Sequence, residues 1–154
     1  MAGLNVSVPD KPTNPKDSQA TNRLPLDLVP ATMKILAALA FAEGAAKYGS
    51  FNWRRSGVRA SVYKAAIERH IESWWNGEEC DPLTGVPHLA SMLASIGIVA
   101  DAKLCGNLLD DRPPFAPVGE MIRQSEADVA RVREIFKDRT PAHCTEIALP
   151  ATAK

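Results

Sequence analysis

The chain has 154 residues, of which 18 are Lys or Arg and 18 are Asp or Glu, so its formal net charge is zero. A hydrophobic content of 45% is ordinary for a soluble globular protein, and the length predicts a single domain. Duplex-DNA-binding domains usually carry a basic surface, so the neutral balance argues against a nucleic-acid partner.

The sequence gives no sign of a membrane or secretory segment. No apolar run reaches the length of a membrane span, and the N-terminal residues lack the apolar region of a signal peptide. Cys80, Cys105 and Cys144 are widely spaced and form no CxxC pair, which is typical of free thiols in a reducing compartment. We therefore expect a cytoplasmic protein with no membrane partner.

The N-terminal third begins with a proline-rich stretch and continues with a helix. Five prolines among residues 1–30 predict an extended arm with turns. Residues 31–48 are rich in Ala, Leu and Met and are followed by Gly49, a common C-terminal stop, so they predict a first helix. This helix is apolar on most sides, which favours a buried position or an interface with a second copy. A polar-aromatic loop is predicted over residues 49–57.

Three further helices are predicted. The second covers residues 61–76 with Ser61 as its N-cap. The third covers residues 87–104, where Pro87 occupies the first turn and apolar residues recur at helical spacing. The fourth covers residues 118–137 and carries one apolar stripe.

These elements predict an all-α fold, because no segment alternates between apolar and polar residues as a strand does. The predicted architecture is a four-helix MazG-like bundle domain over residues 31–138, preceded by the arm 1–30 and followed by a loose tail 139–154. Four such helices bury only a modest core. We therefore expect an oligomer, either a homodimer or a homotetramer.

Residues 67–91, IERHIESWWNGEECDPLTGVPHLAS, combine five carboxylates with two of the three histidines between apolar helices. A divalent cation removes the repulsion within such a cluster, and oxygen ligands with a nearby imidazole suit Mg²⁺ or Mn²⁺. The alternative is two helix ends with solvated charges, with His88 hydrogen-bonded to the loop and His70 as a packing residue. The predicted metal ligands are Glu68, Glu72, Glu78, Glu79, Asp81 and His88.

A basic, aromatic segment precedes this stretch. Trp53 stands between Asn52 and Arg54, and an aromatic plate beside an amide and a cation can bind a nucleobase and a phosphate. Lys47 adds positive charge nearby. The alternative is a solvated basic loop that one tryptophan holds in place. Asp101 is a weaker candidate for a metal ligand, and the alternative is that it caps a surface.

Several motifs occur in a characteristic order: NPKD (14–17), LPLDLVP (24–30), GAAKYGSFNWR (44–54), SVY (61–63), RHI (69–71) and WWNGEECDPLTGVPHLA (74–90). In this order they resemble the phage dATP/dGTP diphosphohydrolase family, which is related to the MazG-like, all-α nucleotide pyrophosphohydrolases. The resemblance covers residues 14–102, and residues after about 109 lie outside it.

The resemblance implies metal-dependent hydrolysis of a purine deoxynucleoside triphosphate, with dGTP favoured over dATP, to the monophosphate and pyrophosphate. Two or three Mg²⁺ or Mn²⁺ ions would join the carboxylates to the phosphates. In some phages a relative is thought to supply dGMP for the replacement of adenine by 2-aminoadenine. A phage-encoded chain would act in the host cytoplasm.

Residue roles follow from the resemblance together with the chemistry of the side chains. An acid orients or deprotonates the attacking water, and cations neutralise the phosphate oxygens. The predicted catalytic residues are Glu72, Glu79 and His88. The predicted substrate-binding residues are Lys16, Lys47, Tyr48, Asn52, Trp53, Arg54, Arg69 and His70.

The chain departs from the broader MazG-like pattern, which is EExxE on one helix and ExxD on the next. In place of EExxE the chain has ERHIE (68–72), so Arg69 replaces the middle acid. In the region where ExxD is expected it has HLAS (88–91). The loop acids Glu78, Glu79 and Asp81 are the predicted replacements.

Other function classes remain as alternatives. The main one is a non-catalytic helical adaptor that oligomerises through its first helix, which predicts neither metal binding nor a nucleotide-induced thermal shift. A phosphohydrolase of the HD type would need an adjacent His-Asp pair, and the sequence has none.

Overall fold

The computed structural model describes residues 23–142 and residue 145. Most of the predicted N-terminal arm, including Lys16, and most of the predicted tail, including Cys144, lie outside the described residues. The described end of the arm, residues 23–30, is exposed and contains a single 3-10 turn at Leu26–Leu28.

The predicted all-α class is confirmed, and the helical architecture is consistent with the MazG-like fold. Each of the four predicted long helices is present, with ends that differ from the predicted ones by two residues at most. The helices are α1 (Ala31–Tyr48), α2 (Trp53–Ser56), α3 (Ala60–Trp75), α4 (His88–Leu104) and α5 (Val118–Ile135).

Two local features differ from the sequence prediction. The predicted loop 49–57 contains the one-turn helix α2. Strands β1 (Val58–Arg59) and β2 (Leu108–Leu109) form a parallel pair. Segments of two residues are too short to show strand alternation, so the sequence carried no signal for them.

The strand pair determines how α3 begins. Ser61 was predicted as the N-cap, but Arg59 occupies that position and its side chain makes no cap hydrogen bond. Instead the carboxylate of Asp111, just after β2, accepts hydrogen bonds from the amide of Ser61 at 2.9 Å and from its hydroxyl at 2.6 Å. These two bonds lower the pKa of Asp111 and place a negative charge at the positive end of the helix dipole.

The chain divides into two units after residue 112; the described part of the first is residues 23–112, and α5 belongs to the second. In the first unit, α4 packs against both α1 and α3. The buried core consists of small side chains (Ala40, Val86, Ala90 and Ala94) flanked by Leu36 and Phe41. Small residues allow close helix approach, and the ring of Phe41 lies over Gly97. Among the described residues, no large side chain is completely buried.

Helix α1 keeps a large apolar surface. Only Ala40 is buried, while Ile35 is 68% exposed and Leu39 is 47% exposed. This face is available for the interface that the sequence predicts. None of the helices in residues 23–142 combines the length and apolarity needed to cross a membrane.

Candidate functional site

Two histidines meet where the C-terminal half of α3 lies beside the start of α4. His70 is half-buried on the inner face of α3, and His88, the first residue of α4, is only 4% exposed. Their Nδ1 atoms are 2.9 Å apart. The amide of His88 donates a hydrogen bond to the carbonyl oxygen of Glu79 at 3.0 Å, which fixes the start of α4 against the preceding loop.

The contact between the two Nδ1 atoms requires one protonated and one unprotonated nitrogen. Burial, followed by the neighbouring charges of His88 and Arg69, lowers the pKa of His70, so this ring is neutral at pH 7. His88 Nε2 is buried and has no hydrogen-bond partner among the described residues, and the nearest carboxylate oxygen, Glu78 Oε1, is 3.4 Å away.

One assignment of tautomers satisfies this geometry best. If His88 carries its proton on Nε2, that N–H faces the negative charge of Glu78, and His88 Nδ1 accepts a hydrogen bond from His70 Nδ1–H. His70 then keeps an unprotonated Nε2. The chain Glu78–His88–His70 therefore orients one neutral imidazole as a proton acceptor, which is how a general base is arranged.

The loop between α3 and α4 is organised by Asp81. Its Oδ1 accepts hydrogen bonds from the amides of Leu83 and Thr84, both at 2.9 Å, and its own amide donates to the carbonyl of Val86. The two side-chain bonds lower the pKa of Asp81 and keep it ionised. The loop thus has a fixed shape and presents a carboxylate beside the histidine pair, close enough to influence the pKa of His70.

Helix α1 adds an ion pair, Lys47 and Glu43, to this region. Lys47 Nζ contacts Glu43 Oε1 at 2.7 Å. This contact lowers the pKa of Glu43, with a smaller contribution from a Thr84 hydrogen bond, and raises the pKa of Lys47. The negative charge of Asp81 also acts on both groups and raises the pKa of each. Glu43 and Thr84 were not among the predicted site residues, although the four-residue spacing of Glu43 and Lys47 on a helix was a usable signal.

The predicted nucleobase segment forms a closed polar cluster instead of an open loop. The indole Nε1 of Trp53 donates to Asp101 Oδ2 at 2.6 Å, and Arg54 contacts both Asp101 oxygens at 2.8 and 2.9 Å. The Arg54 and Trp53 donors lower the pKa of Asp101 to about 2. Asp101 therefore holds α2 against α4. The substrate-binding roles of Trp53 and Arg54 stay predictions.

A pocket of about 280 Å³ opens beside Trp53. Its lining is almost entirely aromatic or apolar, and Ser50 contributes the hydroxyl. Phe51 has a left-handed backbone conformation (φ 55°), which is rare for a bulky residue and tends to occur at functional sites. The guanidinium of Arg54 lies 5.2 Å from the centre of the Phe51 ring. The lining residues are Phe41, Ala45, Ser50, Phe51 and Trp53.

The six predicted metal ligands do not converge. Glu68 pairs with Lys64 at 2.6 Å on the exposed face of α3, and Glu72 lies one turn further along the same face, pointing away from His70. Glu79 is exposed in the loop. Within residues 23–142 and 145, no three His, Cys, Asp or Glu side chains are arranged to hold one ion. The side chains therefore do not form a ready-made metal cage, and the ligand set stays a prediction.

The other predicted substrate contacts are distributed around the unit. Tyr48 is 72% exposed at the end of α1, Arg69 is exposed on α3, and Asn52 is half-buried just before α2. Of the predicted residues, the structure brings together His70, His88, Glu78, Asp81 and Lys47.

Comparison with protein families decides the affiliation of the chain. The family described as "dATP/dGTP diphosphohydrolase, N-terminal" matches residues 13–112. The chain belongs to this family. The dATP/dGTP diphosphohydrolase match ends at the residue where the first structural unit ends, so the family describes that unit. The searches of curated proteins and of solved structures returned no match.

Proposed function

We propose that the chain hydrolyses a purine deoxynucleoside triphosphate, with dGTP preferred to dATP, to the deoxynucleoside monophosphate and pyrophosphate. The observation that carries the proposal is the 2.9 Å contact between the Nδ1 atoms of His70 and His88, with Glu78 3.4 Å from His88 Nε2, inside the family-matched unit. The tautomer assigned above leaves the neutral His70 ring with an unprotonated Nε2. A neutral imidazole beside fixed charges is suited to removing a proton from an attacking water.

In this proposal His70 Nε2 accepts the proton of the water that attacks the α-phosphorus. Glu78 and His88 act as positioning residues that hold the His70 ring in the required tautomer. Lys47 provides a positive charge next to this site for the oxygens of the phosphates. Compared with the sequence analysis, the base role moves from Glu72 or Glu79 to His70.

A Mg²⁺ or Mn²⁺ ion bound to the nucleotide would be held by carboxylates of this region and would neutralise charge on the phosphates. Mg²⁺ usually keeps several waters and binds through substrate phosphates with one or two protein carboxylates, so it does not need an all-protein cage. Asp81 and Glu43 are ionised, as their lowered pKa values indicate, and both lie near Lys47. These two carboxylates fit a Mg²⁺– or Mn²⁺–nucleotide complex better than the exposed Glu68 and Glu72.

The proposed site for the purine is the pocket beside α2. Its aromatic walls suit stacking with any base, and the Ser50 hydroxyl is its polar group. Phe51 is the most accessible aromatic of the lining, because it is 59% exposed while Trp53 is occupied with Asp101. We therefore place Phe51, in preference to Trp53, against the base.

The direct test is product analysis. The full-length protein is incubated with dGTP or dATP in Mg²⁺ or Mn²⁺, with a chelator as control, and the products are separated by anion exchange. We expect pyrophosphate and the monophosphate, with faster release from dGTP. In heavy-oxygen water the label should appear in the monophosphate. Release of tripolyphosphate or of single phosphates would contradict the proposal.

A further part of the proposal is a homodimer or homotetramer formed through α1. The support is the exposed apolar face of that helix, because contiguous apolar surface usually marks an interface. Sedimentation of wild type and an Ile35→Asp, Leu39→Asp variant tests it. We expect the variant to have a lower mass in solution than the wild type, and an unchanged mass would contradict this part.

If the chain is encoded by a phage, the dGMP that it releases would suit a supply route to 2-aminoadenine.

A further inference from the structure

Helix α5 lies outside the family-matched residues and carries a regular apolar pattern. Apolar residues recur at alternating spacings of four and three residues, the repeat of a two-position heptad seam. One polar residue, Ser125, interrupts the pattern. In heptad notation, position a is occupied by Ile122, Val129 and Phe136, and position d by Val118, Ser125 and Val132.

This seam is accessible along its length. Its large apolar side chains are between 47% and 58% exposed, and Met121 and Ile135, which flank it at position g, are 69% and 66% exposed. The opposite face carries charged and amide side chains with Ala127 and Ala130 between them. An apolar stripe of this size on an otherwise polar helix marks an interaction surface.

The charges beside the seam are complementary to a second copy in one orientation. In a parallel coiled coil, position g of one helix lies near position e of the next heptad on its neighbour. Asp128 at position g would therefore face Arg133 of the second copy at position e, and the reciprocal pair would form as well. Asp128 Oδ1 already contacts Arg131 of its own helix at 2.8 Å, which leaves Oδ2 for the second copy.

The antiparallel register that aligns the whole seam is disfavoured by the same residues. When Ile122 packs against Val132 of an antiparallel neighbour, position g faces g and position e faces e. Asp128 then lies opposite Asp128 of the second copy, and Glu126 lies opposite Glu126. Like charges at these positions oppose association in this register, which is the antiparallel register that aligns the whole seam, so the charge pattern favours the parallel arrangement over it.

We propose that α5 is a self-association helix, which forms a parallel coiled coil with α5 of another copy of the chain. A helix of this length is short for an independent coiled coil. A second contact between the same chains, such as the proposed α1 interface, would raise the effective concentration of α5 and strengthen the pairing. The seam belongs to the second unit and the proposed hydrolase site to the first, so each can be tested without the other.

Site-specific cross-linking tests the parallel register. In full-length chains with Cys80, Cys105 and Cys144 replaced by serine, Ser125→Cys puts one thiol in the seam, where two copies in parallel register meet within disulfide distance. Ala127→Cys, on the opposite helix face, is the matched control. Under mild oxidation we expect several-fold more covalent dimer from Ser125→Cys. Equal yields from both variants, or no dimer from either, would overturn the proposal.

A charge exchange tests the pairing of the flanking residues. In the Ser125→Cys background, Asp128→Arg places two arginines opposite each other, and Arg133→Asp does the same with two aspartates. We expect each change alone to reduce the cross-linking yield several-fold and the double change to restore it. Circular dichroism and thermal unfolding serve as controls for folding. A double variant no better than the single variants would contradict the pairing.

Discussion

The two polar clusters of the first unit both use α4 but differ in how their hydrogen-bonding capacity is satisfied. Near the end of α4, both oxygens of Asp101 are occupied by donors from Trp53 and Arg54. At its start, His88 Nε2 is buried 3.4 Å from Glu78 without a hydrogen-bond partner among the described residues, and the assigned tautomer leaves His70 Nε2 unprotonated. A satisfied cluster stabilises the fold, whereas an unsatisfied one retains capacity for a substrate or a water.

The largest expected effect is on catalysis by His70. His70→Ala should reduce kcat/KM by about 10²- to 10⁴-fold, the usual contribution of a general base, with the helical circular dichroism preserved. The pKa of His70 is below its ordinary value of 6.5, so activity in the wild type should fall with decreasing pH, with a midpoint below 6.5. A variant with wild-type kcat/KM would exclude His70 as the base.

The same titration has a consequence for stability. A histidine whose folded pKa is lowered binds fewer protons in the folded state, so the stability it contributes falls as the pH decreases from 6.5 through the folded pKa. In His70→Gln this part of the pH dependence of Tm should disappear.

The next effect separates the charge of Asp81 from its role in the loop. Asp81→Asn keeps an oxygen for the amides of Leu83 and Thr84, whereas Asp81→Ala removes it. We expect both variants to lose activity, by about tenfold or more if one charge-assisted interaction with the substrate is lost. Only Asp81→Ala should also lower Tm. Full activity in Asp81→Asn would show that the residue acts through the loop alone.

A smaller effect on activity is expected at the cluster of Asp101, Trp53 and Arg54, in which the hydrogen bonds of the carboxylate are satisfied. Asp101→Asn weakens the contacts to Trp53 and Arg54, so it should lower Tm. Because Trp53 lines the proposed purine pocket, KM should rise by about threefold while kcat stays close to wild type. The pKa of Asp101 is about 2 when folded, below the ordinary value of 3.8. Its stabilising effect should therefore be complete above pH 3.8 and disappear as the pH falls through about 2. A large loss of activity with unchanged Tm would show that Asp101 serves catalysis and not the stability of the fold.

The smallest effect is expected at Glu68, one of the predicted metal ligands. Its partner Lys64 and the carboxylate are both more than half exposed, and exposed pairs contribute little. Glu68→Gln should leave the activity and its Mg²⁺ dependence close to wild type. A strong rise in the Mg²⁺ requirement would restore Glu68 to the metal site.

The candidate site was predictable in part. The histidines and loop acids were identified from their crowding, and the family was identified from motif order. The hydrogen-bond partners of these groups were not identified from the sequence, because Asp101 and Trp53 are separated by 48 residues and Ser61 and Asp111 by 50. Hydrogen bonds over such separations depend on how helices pack, and residue spacing does not report this.

The sequence by itself determined the helices, because apolar periodicity, Pro87 and Gly49 act over one or two turns. It also determined the family, since the motifs are local strings. Only the tertiary structure decided which side chains meet. Glu68 and Glu72 shared a helix face with each other but not with His70, and packing against α4 placed His70 beside His88 and Trp53 beside Asp101. Local pattern sets where a helix begins and ends, while the contacts between helices set which of its polar groups remain available for chemistry.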